Sequence, residues 1–514
     1  MSGMTDAALR FGTAGLRGPM RDGPGGMNVE TVTRATWAVA KVLKDHAGDE
    51  GAAGGSTVIV GRDARHQSDD FALATAEVLA AEGFTVVLFA DPVPTPVVAF
   101  AVRHRGAVAG VQITASHNPP QDNGYKVYLD GGVQIVPPTD AEIEAAMERA
   151  PADIARKPVA AADLDLVEGY RTRAASVRRT DDDEHVRIAL TPMHGVGGEL
   201  AVQTLAEAGF TDVHVVTEQF SPDPDFPTVD FPNPEEPGAT DLLLSLAAYT
   251  DADVAIALDP DADRCAIGIP TADGWRMLSG DETGWLLGDY VLSQLDRDVA
   301  ASTVVASTVV SSRMLASIAA AHGAAHVETL TGFKWLARAD AGLPGTTLVY
   351  AYEEAIGHCV DPSAVRDKDG ISAAVLACDL VVALRRSGRT VVDALDDLAR
   401  LHGVHETASH SIPADASTMQ RLRDAPPTRL AGFDVTVDDL AARRGRARTD
   451  ALVFEGGDER MRVRVVVRPS GTEPKLKSYF EIRFAPGGDV DADREWAEPL
   501  LTDLVEEFSS ALTG

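Results

Sequence analysis

Three stretches of the chain repeat one pattern: an apolar run, a turn of polar residues or glycine, an apolar face at helical spacing, a glycine, and often a second apolar run. A strand, crossover helix and parallel strand read this way, so the pattern predicts three related βαβ units. The first opens with STVIV (56–60) and the turn GRDARHQS, then a helix with Ser68 as N-cap, Asp69 and Asp70 in its first turn and Phe71, Val78 and Leu79 on one face. Gly83 ends that helix and TVVLF begins another strand. The second unit runs from VRIAL (186–190) through TPMHGVGG to a helix from about Glu199, then Gly209 and VHVV. The third runs from TVVAS (303–307) to a helix near Ser312 to Ala321, then Gly323.

Other stretches break the pattern. Val32, Thr36, Val39 and Leu43 sit at helical spacing ahead of GDEGAAGGS (48–56), which reads as a surface insertion. PDPDFPTVDFPNPEE (222–236) is too rich in proline for regular structure and predicts an ordered connection. After Gly403 to Ser411, strand-rich segments such as MRVRVVV (461–467) take over, and Asp491 to Leu512 predicts a helix. Domain boundaries are expected at RRTDDDEH (178–185), near Leu295 to Ser302, and at Gly403 to Ser411.

Composition narrows the class of function. The 514 residues carry 46 Lys+Arg against 78 Asp+Glu, a net charge of −32, which argues against nucleic acid or an anionic membrane as a general partner. Any phosphate ligand needs a local basic pocket. Cys265, Cys359 and Cys378 are too few and scattered for a disulfide framework, and no Cys-x-x-Cys pair exists to hold zinc, so a reducing cytoplasm is expected. The segment MSGMTDAALRFGTAGLRG lacks the pattern of a secretory signal, and no apolar run is long enough to span a membrane.

Several segments could carry chemistry. TASHNPPQDNGYK (114–126) follows the apolar AVAGVQI and holds Ser116, His117 and Lys126. Its Ser, Asn and Pro are also ordinary turn formers. A Ser–His hydrolase is disfavoured because neighbouring side chains in extended backbone point apart, whereas a hydroxyl at a strand-to-loop junction can carry a phosphoryl group with Lys126 supplying positive charge. DPDADR (259–264), between VAIAL and CAIGI, spaces Asp259, Asp261 and Asp263 two apart, which in extended backbone places three carboxylates on one side. All-oxygen ligands suit Mg²⁺ or Ca²⁺. An EF-hand fails because Arg264 stands where the loop needs Gly, and Pro270 where it needs the bidentate Glu; a solvated acidic loop remains the bland reading.

Lysine is scarce, and half of the lysines fall in three Gly-containing segments: Lys126 in the serine segment, Lys334 in TGFKW (331–335), and Lys475 and Lys477 in RPSGTEPKLK (468–477). The last segment offers Arg468, the Ser470 and Thr472 hydroxyls and backbone N–H groups around Gly471, which make a phosphate cradle or simply a basic turn that balances charge. In YEEAIGH (352–358), Glu353 and Glu354 read as surface acids or as acceptors for sugar hydroxyls. FGTAGLRG sets Arg17 among glycines, either a close backbone approach to a ligand or a flexible loop.

Taken together and in order, FGTAGLRG, TASHNPPQDNGYK, DPDADR, TGFKW, YEEAIGH and RPSGTEPKLK resemble the α-D-phosphohexomutase family, which includes phosphoglucomutases, phosphomannomutases and phosphopentomutases. The likeness spans nearly the whole chain. It implies an α/β fold of three similar α/β domains plus a C-terminal α+β domain around a central cleft, with expected ranges 1–184, 185–299, 300–405 and 406–514. Ser116 matches the serine that holds the transferable phosphoryl group and adds an oxygen to the Mg²⁺ ligands matched by Asp259, Asp261 and Asp263. Arg17, His117, Lys126 and Arg264 match residues around the reacting phosphate, with Lys126 as general acid/base. Glu354 matches a sugar-hydroxyl acceptor, Arg468, Ser470, Gly471 and Thr472 the clamp on the non-reacting phosphate, and Lys334 and Lys475 join the substrate-binding set.

The resemblance implies a cytoplasmic enzyme acting on small sugar phosphates, interconverting sugar 1-phosphate and sugar 6-phosphate through a phosphoserine, with Mg²⁺ and a sugar bisphosphate as activator and intermediate. Many hexose-directed members have a serine two positions after the matched glutamate, where this chain has Ile356. With TPMHGVGG, PDPDFPTVDFPNPEE, TGFKW and DKDG (367–370), that departure resembles the branch that includes phosphopentomutases, so conversion of ribose 1-phosphate to ribose 5-phosphate is the alternative activity.

Overall fold

The computed structural model describes residues 8–11, 15–47, 55–162, 165–180, 185–414, 417–445, 448–470 and 475–513. The chain divides into two compact units, Met1–Gly280 with Gly332–Arg338 and Ala355–Ser387, and Asp281–Thr331 with Ala339–Glu354 and Gly388–Gly514.

The first unit holds two sheets. Strands β1 (Leu16–Pro19), β2 (Thr57–Arg62), β3 (Thr85–Leu88), β4 (Ala109–Ile113), β5 (Asp122–Leu129) and β6 (Val133–Gln134) build one, in the order β1-β5-β4-β2-β3 with β6 on β5. Strands β7 (Arg187–Thr191), β8 (Asp212–Val215), β9 (Val254–Leu258), β10 (Cys265–Thr271) and β11 (Gly274–Met277) build the other, in the order β11-β10-β9-β7-β8. In each, the second and third strands of a parallel trio flank the first, and an antiparallel hairpin strand then extends the sheet.

The second unit repeats the trio with β12 (Thr303–Thr308), β13 (Ala325–Thr329) and β14 (Thr347–Glu353), where both partners run parallel to β12. A short β15 (Gly357–Cys359) follows in the first unit. The crossovers are helices, so central strands are covered on both faces. VAIAL in β9 and TVVAST in β12 are buried at every position, which is why they read as continuous apolar runs without alternation.

The last part of the second unit is of a different type. Strands β16 (His405–Pro413), β17 (Arg429–Leu430), β18 (Phe433–Asp439), β19 (Leu452–Gly457), β20 (Met461–Pro469) and β21 (Lys475–Phe484) form one antiparallel sheet, in the order β16-β21-β20-β19-β18-β17. The helix Val490–Thr513 packs on it through Phe508, which meets Phe454 and Phe480 edge-on. Three similar α/β parts and a C-terminal α+β part are thus present, as expected. Among the described residues no helix is long and apolar enough to cross a membrane.

Some local expectations are corrected. Ser68 is the first residue of its helix, Ser68–Ala81, and does not cap it; Gln67 holds the cap position in a left-handed conformation, while the Ser68 hydroxyl donates to Asp63 at 2.7 Å. Most of GDEGAAGGS and the acidic run at 181–184 lie outside the described residues. The Pro-rich stretch 222–236 contains no helix or strand, as expected.

DPDADR joins β9 to β10, and neighbouring backbone presses on it from two sides. A Cβ on Gly195, in TPMHGVGG, would stand 2.4 Å from the Pro260 Cα and O, and one on Gly370, at the end of DKDG, 2.4 Å from the Arg264 carbonyl oxygen. Gly195→Ala should therefore overpack the loop and cost about 1–3 kcal/mol. Urea unfolding of the variant, compared with wild type at equal m-value, measures that loss; a midpoint unchanged from wild type would contradict the close approach.

Candidate active site

Ser116 lies three residues after the end of β4, in the connection that returns as β5. Its backbone is left-handed (φ 53°), uncommon for a residue other than glycine, and Thr114 Oγ1 accepts the Ser116 N–H at 2.9 Å. That turn overrides the expectation that Ser116 and His117 point apart, which assumed extended backbone. The two side chains meet, with Ser116 Oγ 3.3 Å from His117 Nδ1. Ser116 Oγ also donates to Asp259 Oδ2 at 3.0 Å. Lys126 lies on β5, and its Nζ donates to Asp261 Oδ2 at 2.7 Å and Asp263 Oδ2 at 2.8 Å. Arg17, on β1, pairs with Asn118 Oδ1 at 2.9 Å.

The three aspartates converge for a reason other than the one expected. DPDADR is not extended: it forms a tight turn in which the Ala262 N–H donates to the Asp259 carbonyl at 2.8 Å and Ala262 is left-handed (φ 53°). One ligand oxygen from each of Asp259, Asp261 and Asp263 falls within 4.8 Å of the others, and all three residues are fully buried. Arg264 closes the turn: its N–H donates to Asp259 Oδ1 at 3.0 Å, and its guanidinium lies 3.8 Å from Asp263 and 3.7 Å from Glu235.

Crowding decides the protonation of the group. Burial, followed by repulsion from Asp261 and Asp263, pushes the Asp259 carboxyl well above the usual range. Burial also opposes ionisation of Asp261, yet Lys126 and the Thr95 hydroxyl outweigh it and hold this carboxyl below its ordinary value. Asp263 is lowered too, because Lys126, Lys368 and Arg264 overcome burial and Asp261. Burial, with Arg264 and Arg17 nearby, drives His117 well below the usual imidazole value, so its ring is neutral at pH 7.

Asp261 Oδ1 and Asp263 Oδ1 are buried and accept no hydrogen bond among the described residues. Unclaimed carboxylate oxygens facing a cluster of this size fit a hard divalent cation, and the triad could hold one.

Three residues of this centre carry roles that the sequence reading passed over. Buried Arg65, in GRDARHQS, donates to the backbone carbonyls of Ser116 and Asn118 at 2.6 Å, Pro119 at 2.9 Å and Asp122 at 3.2 Å, and so fixes the serine turn. Phe226, from the Pro-rich connection, covers its guanidinium at 5.0 Å. Lys368, in DKDG, sits 3.3 Å from Asp263 Oδ2. The signals were present: a charged turn straight after a buried strand, and a scarce lysine beside a glycine that Arg264 requires.

Lys334, in the short helix Phe333–Leu336, is buried, and no hydrogen bond or ion pair among the described residues joins it to the Ser116 centre. Burial lowers its pKa, against Asp140. In the second unit, Glu354 accepts hydrogen bonds from Thr308 and Ser311, each at 3.0 Å. Nearby Asp281 is pushed up to about 7 by burial, while accepting from the Ser312 N–H and the Tyr352 hydroxyl. Arg468, next to the last residue of β20, has its buried Nε unbonded among the described residues, and the Ser470 N–H donates to the Lys475 carbonyl at 2.8 Å. Gly471 and Thr472 lie outside the described residues.

Comparison with known proteins gives a consistent result. Residues 8–153, 168–272 and 279–401 match the phosphoglucomutase/phosphomannomutase alpha/beta/alpha domains I, II and III in that order. A Haemophilus influenzae protein named "Probable phosphomannomutase" is 40% identical over 494 residues, covering 92% of this chain and 96% of its own. A human phosphopentomutase is 34% identical over 553 residues, covering 97% and 88%. The crystal structure of a phosphoglucomutase/phosphomannomutase family protein from Burkholderia thailandensis, at 20% identity, superposes with a TM-score of 0.71 over 96% of each chain, a likeness of fold. The chain belongs to the phosphoglucomutase/phosphomannomutase family and is a phosphosugar mutase.

Proposed function

We propose that the protein interconverts sugar 1-phosphate and sugar 6-phosphate, with Ser116 carrying the phosphoryl group between two half-reactions. The observation that carries this reading is the Ser116 hydroxyl, held 3.0 Å from Asp259 in a turn that Arg65 fixes, with Lys126 on the adjoining aspartates. In the first half-reaction the P–O bond to Ser116 breaks as a hydroxyl oxygen of the sugar monophosphate bonds to phosphorus, and that hydroxyl's proton passes to the Lys126 amine, which enters this step uncharged rather than as the ammonium that pairs here with Asp261 and Asp263. The bisphosphate then reorients. In the second half-reaction its other phosphate returns to Ser116, and Lys126 gives a proton to the oxygen released.

Arg17, His117 and Arg264 surround the transferred group. Asp259, Asp261 and Asp263, with the Ser116 oxygen, would hold Mg²⁺, which when bound supplies positive charge against the phosphoryl oxygens. Lys334 and Glu354 bind the sugar, while Arg468, Ser470, Gly471, Thr472 and Lys475 clamp the non-reacting phosphate. A sugar bisphosphate primes Ser116. The ranges 1–184, 185–299, 300–405 and 406–514 are the domains proposed for these tasks. The three cysteines, all buried free thiols, fit a reducing cytoplasm.

Pentose phosphate is the second reading, and one observation favours it. Ile356 buries its side chain with Ala189, Met193 and Ala257 in the apolar core of the first unit, at a left-handed backbone (φ 53°) that a β-branched residue seldom adopts. It offers a sugar no hydrogen-bonding group where hexose-directed members carry a hydroxyl. Measuring kcat/KM on glucose 1-phosphate, mannose 1-phosphate and ribose 1-phosphate, with bisphosphate present, separates the two readings; a ribose preference would overturn the hexose assignment.

Ser116→Ala should remove the acid-stable phosphoserine seen by intact-protein mass spectrometry and lower kcat by about a thousandfold or more. Full turnover in that variant would refute the carrier role and point to an Asp nucleophile in DPDADR. Arg468→Gln should raise KM by about tenfold with kcat little changed, the loss of one charge-assisted contact. Chelation should abolish activity, and Mg²⁺ should restore it in a steady-state assay.

A further inference from the structure

We propose that a cavity in the second unit, whose lining includes neither Glu354 nor Arg468, binds a small phosphomonoester anion. The cavity has a volume of about 400 Å³ and lies between the helix Met314–His322 and strands β19, β20 and β21. Arg313, Arg462, Arg464 and Arg483 line it, against two acids, Glu455 and Glu481. Four arginines against two glutamates in one lining invert the balance of a chain that has 78 acidic residues to 46 basic ones. Arg462 and Arg468 stand near opposite ends of β20, about 20 Å apart along an extended strand, so the cavity is distinct from the end of β20 that carries Arg468.

The partners of these groups show which charges are already engaged. Arg464 donates to the Val309 carbonyl at 2.7 Å and to Glu455 at 3.1 Å. Arg313 pairs with Glu328 at 3.0 Å and Glu455 at 3.4 Å, yet its buried Nε has no hydrogen bond among the described residues. Glu481 faces the start of the helix, accepting from Ser312 Oγ at 2.7 Å, the Arg313 N–H at 2.9 Å and His405 Nδ1 at 2.8 Å. Arg462 and Arg483 remain. They sit directly opposite each other in the β20–β21 ladder, and neither side chain has a hydrogen bond or ion pair among the described residues.

Like charges at directly opposed cross-strand positions destabilise a sheet, and the next pair on the same face, Arg464 opposite Glu481, shows the complementary arrangement within the same ladder. An anion between Arg462 and Arg483 removes that repulsion. Guanidinium groups match the oxygens of a phosphate in a planar, two-point fashion that an ammonium cannot. The volume is that of a small-molecule site and exceeds a bare phosphate, while Ala316, Ala320 and Val463 add apolar wall for an organic group. An ester of phosphate therefore fits better than the inorganic ion.

Residue-resolved modification by phenylglyoxal, read by mass spectrometry on the full-length protein, tests this. At equal ionic strength, phenyl phosphate should slow modification of Arg462 and Arg483 by about fivefold relative to chloride, and should do so at lower concentration than inorganic phosphate. The protection should persist in Arg468→Gln, which impairs the proposed clamp, and should weaken in Arg313→Gln. Equal modification in phosphate and chloride, equal potency of the two phosphates, loss of protection in Arg468→Gln, or full protection in Arg313→Gln would each overturn the assignment.

Discussion

Three carboxylates confined to a dry space within 4.8 Å of one another repel strongly, and the first unit is organised around relieving that repulsion. Relief comes from separate segments. β5 delivers Lys126, DKDG delivers Lys368, and the DPDADR turn supplies its own Arg264. To bring Lys368 close, the backbone of DKDG must come close too, which explains the glycine at 370, while Gly195 lets a second segment press on the same turn. The Asp259 carboxyl, the one of the three raised by burial and by its neighbours, is also the one to which Ser116 donates. The Ser116 hydroxyl thus sits where the protein is least able to tolerate another negative charge without a cation present, a setting suited to the phosphoryl transfer proposed for it.

The same constraint separates what the sequence revealed from what it hid. Strands were legible because parallel strands buried on both faces must be apolar throughout, as VAIAL and TVVAST are. Helix ends marked by glycine were legible as well: Gly83, Gly209 and Gly323 all have positive φ immediately after or one residue beyond a helix. Ser68 misled, because a serine before an apolar helical face reads as a cap. Its hydroxyl instead joins Asp63 and Asn123 in a buried network, and no local pattern encodes a partner 55 residues away.

The site was legible as a set of segments and illegible as geometry. Periodicity assigned Ser116 and the aspartates to extended backbone, and from that followed one wrong inference about His117 and one right conclusion for the wrong reason about DPDADR. In both places the chain enters the left-handed region at a non-glycine residue, Ser116 and Ala262, which propensity disfavours and only tertiary contacts enforce. Arg65 explains how: four backbone carbonyls converge on one guanidinium, and the strain of the serine turn is balanced by hydrogen bonds that arise only after β2, β4 and β5 have come together. Backbone acceptors leave no trace in a sequence, so the residue that shapes the turn was harder to find than the residue displayed on it.

Cation chemistry draws a further distinction within the centre. Arg65 and Arg17 work through planar, directional donors, on carbonyls and on the Asn118 amide oxygen, and therefore fix position. Lys126 and Lys368 present compact ammonium groups to carboxylates and therefore balance charge. A chain that draws most of its positive charge from arginine, yet keeps lysine at both of these places, fits a requirement for the smaller ion. A guanidinium between Asp261 and Asp263 would spread across the oxygens a divalent cation needs, whereas an ammonium touches one oxygen of each and leaves Asp261 Oδ1 and Asp263 Oδ1 without a hydrogen bond. The choice of lysine at 126 therefore serves the metal binding proposed for the triad as much as the proton chemistry proposed for the lysine itself.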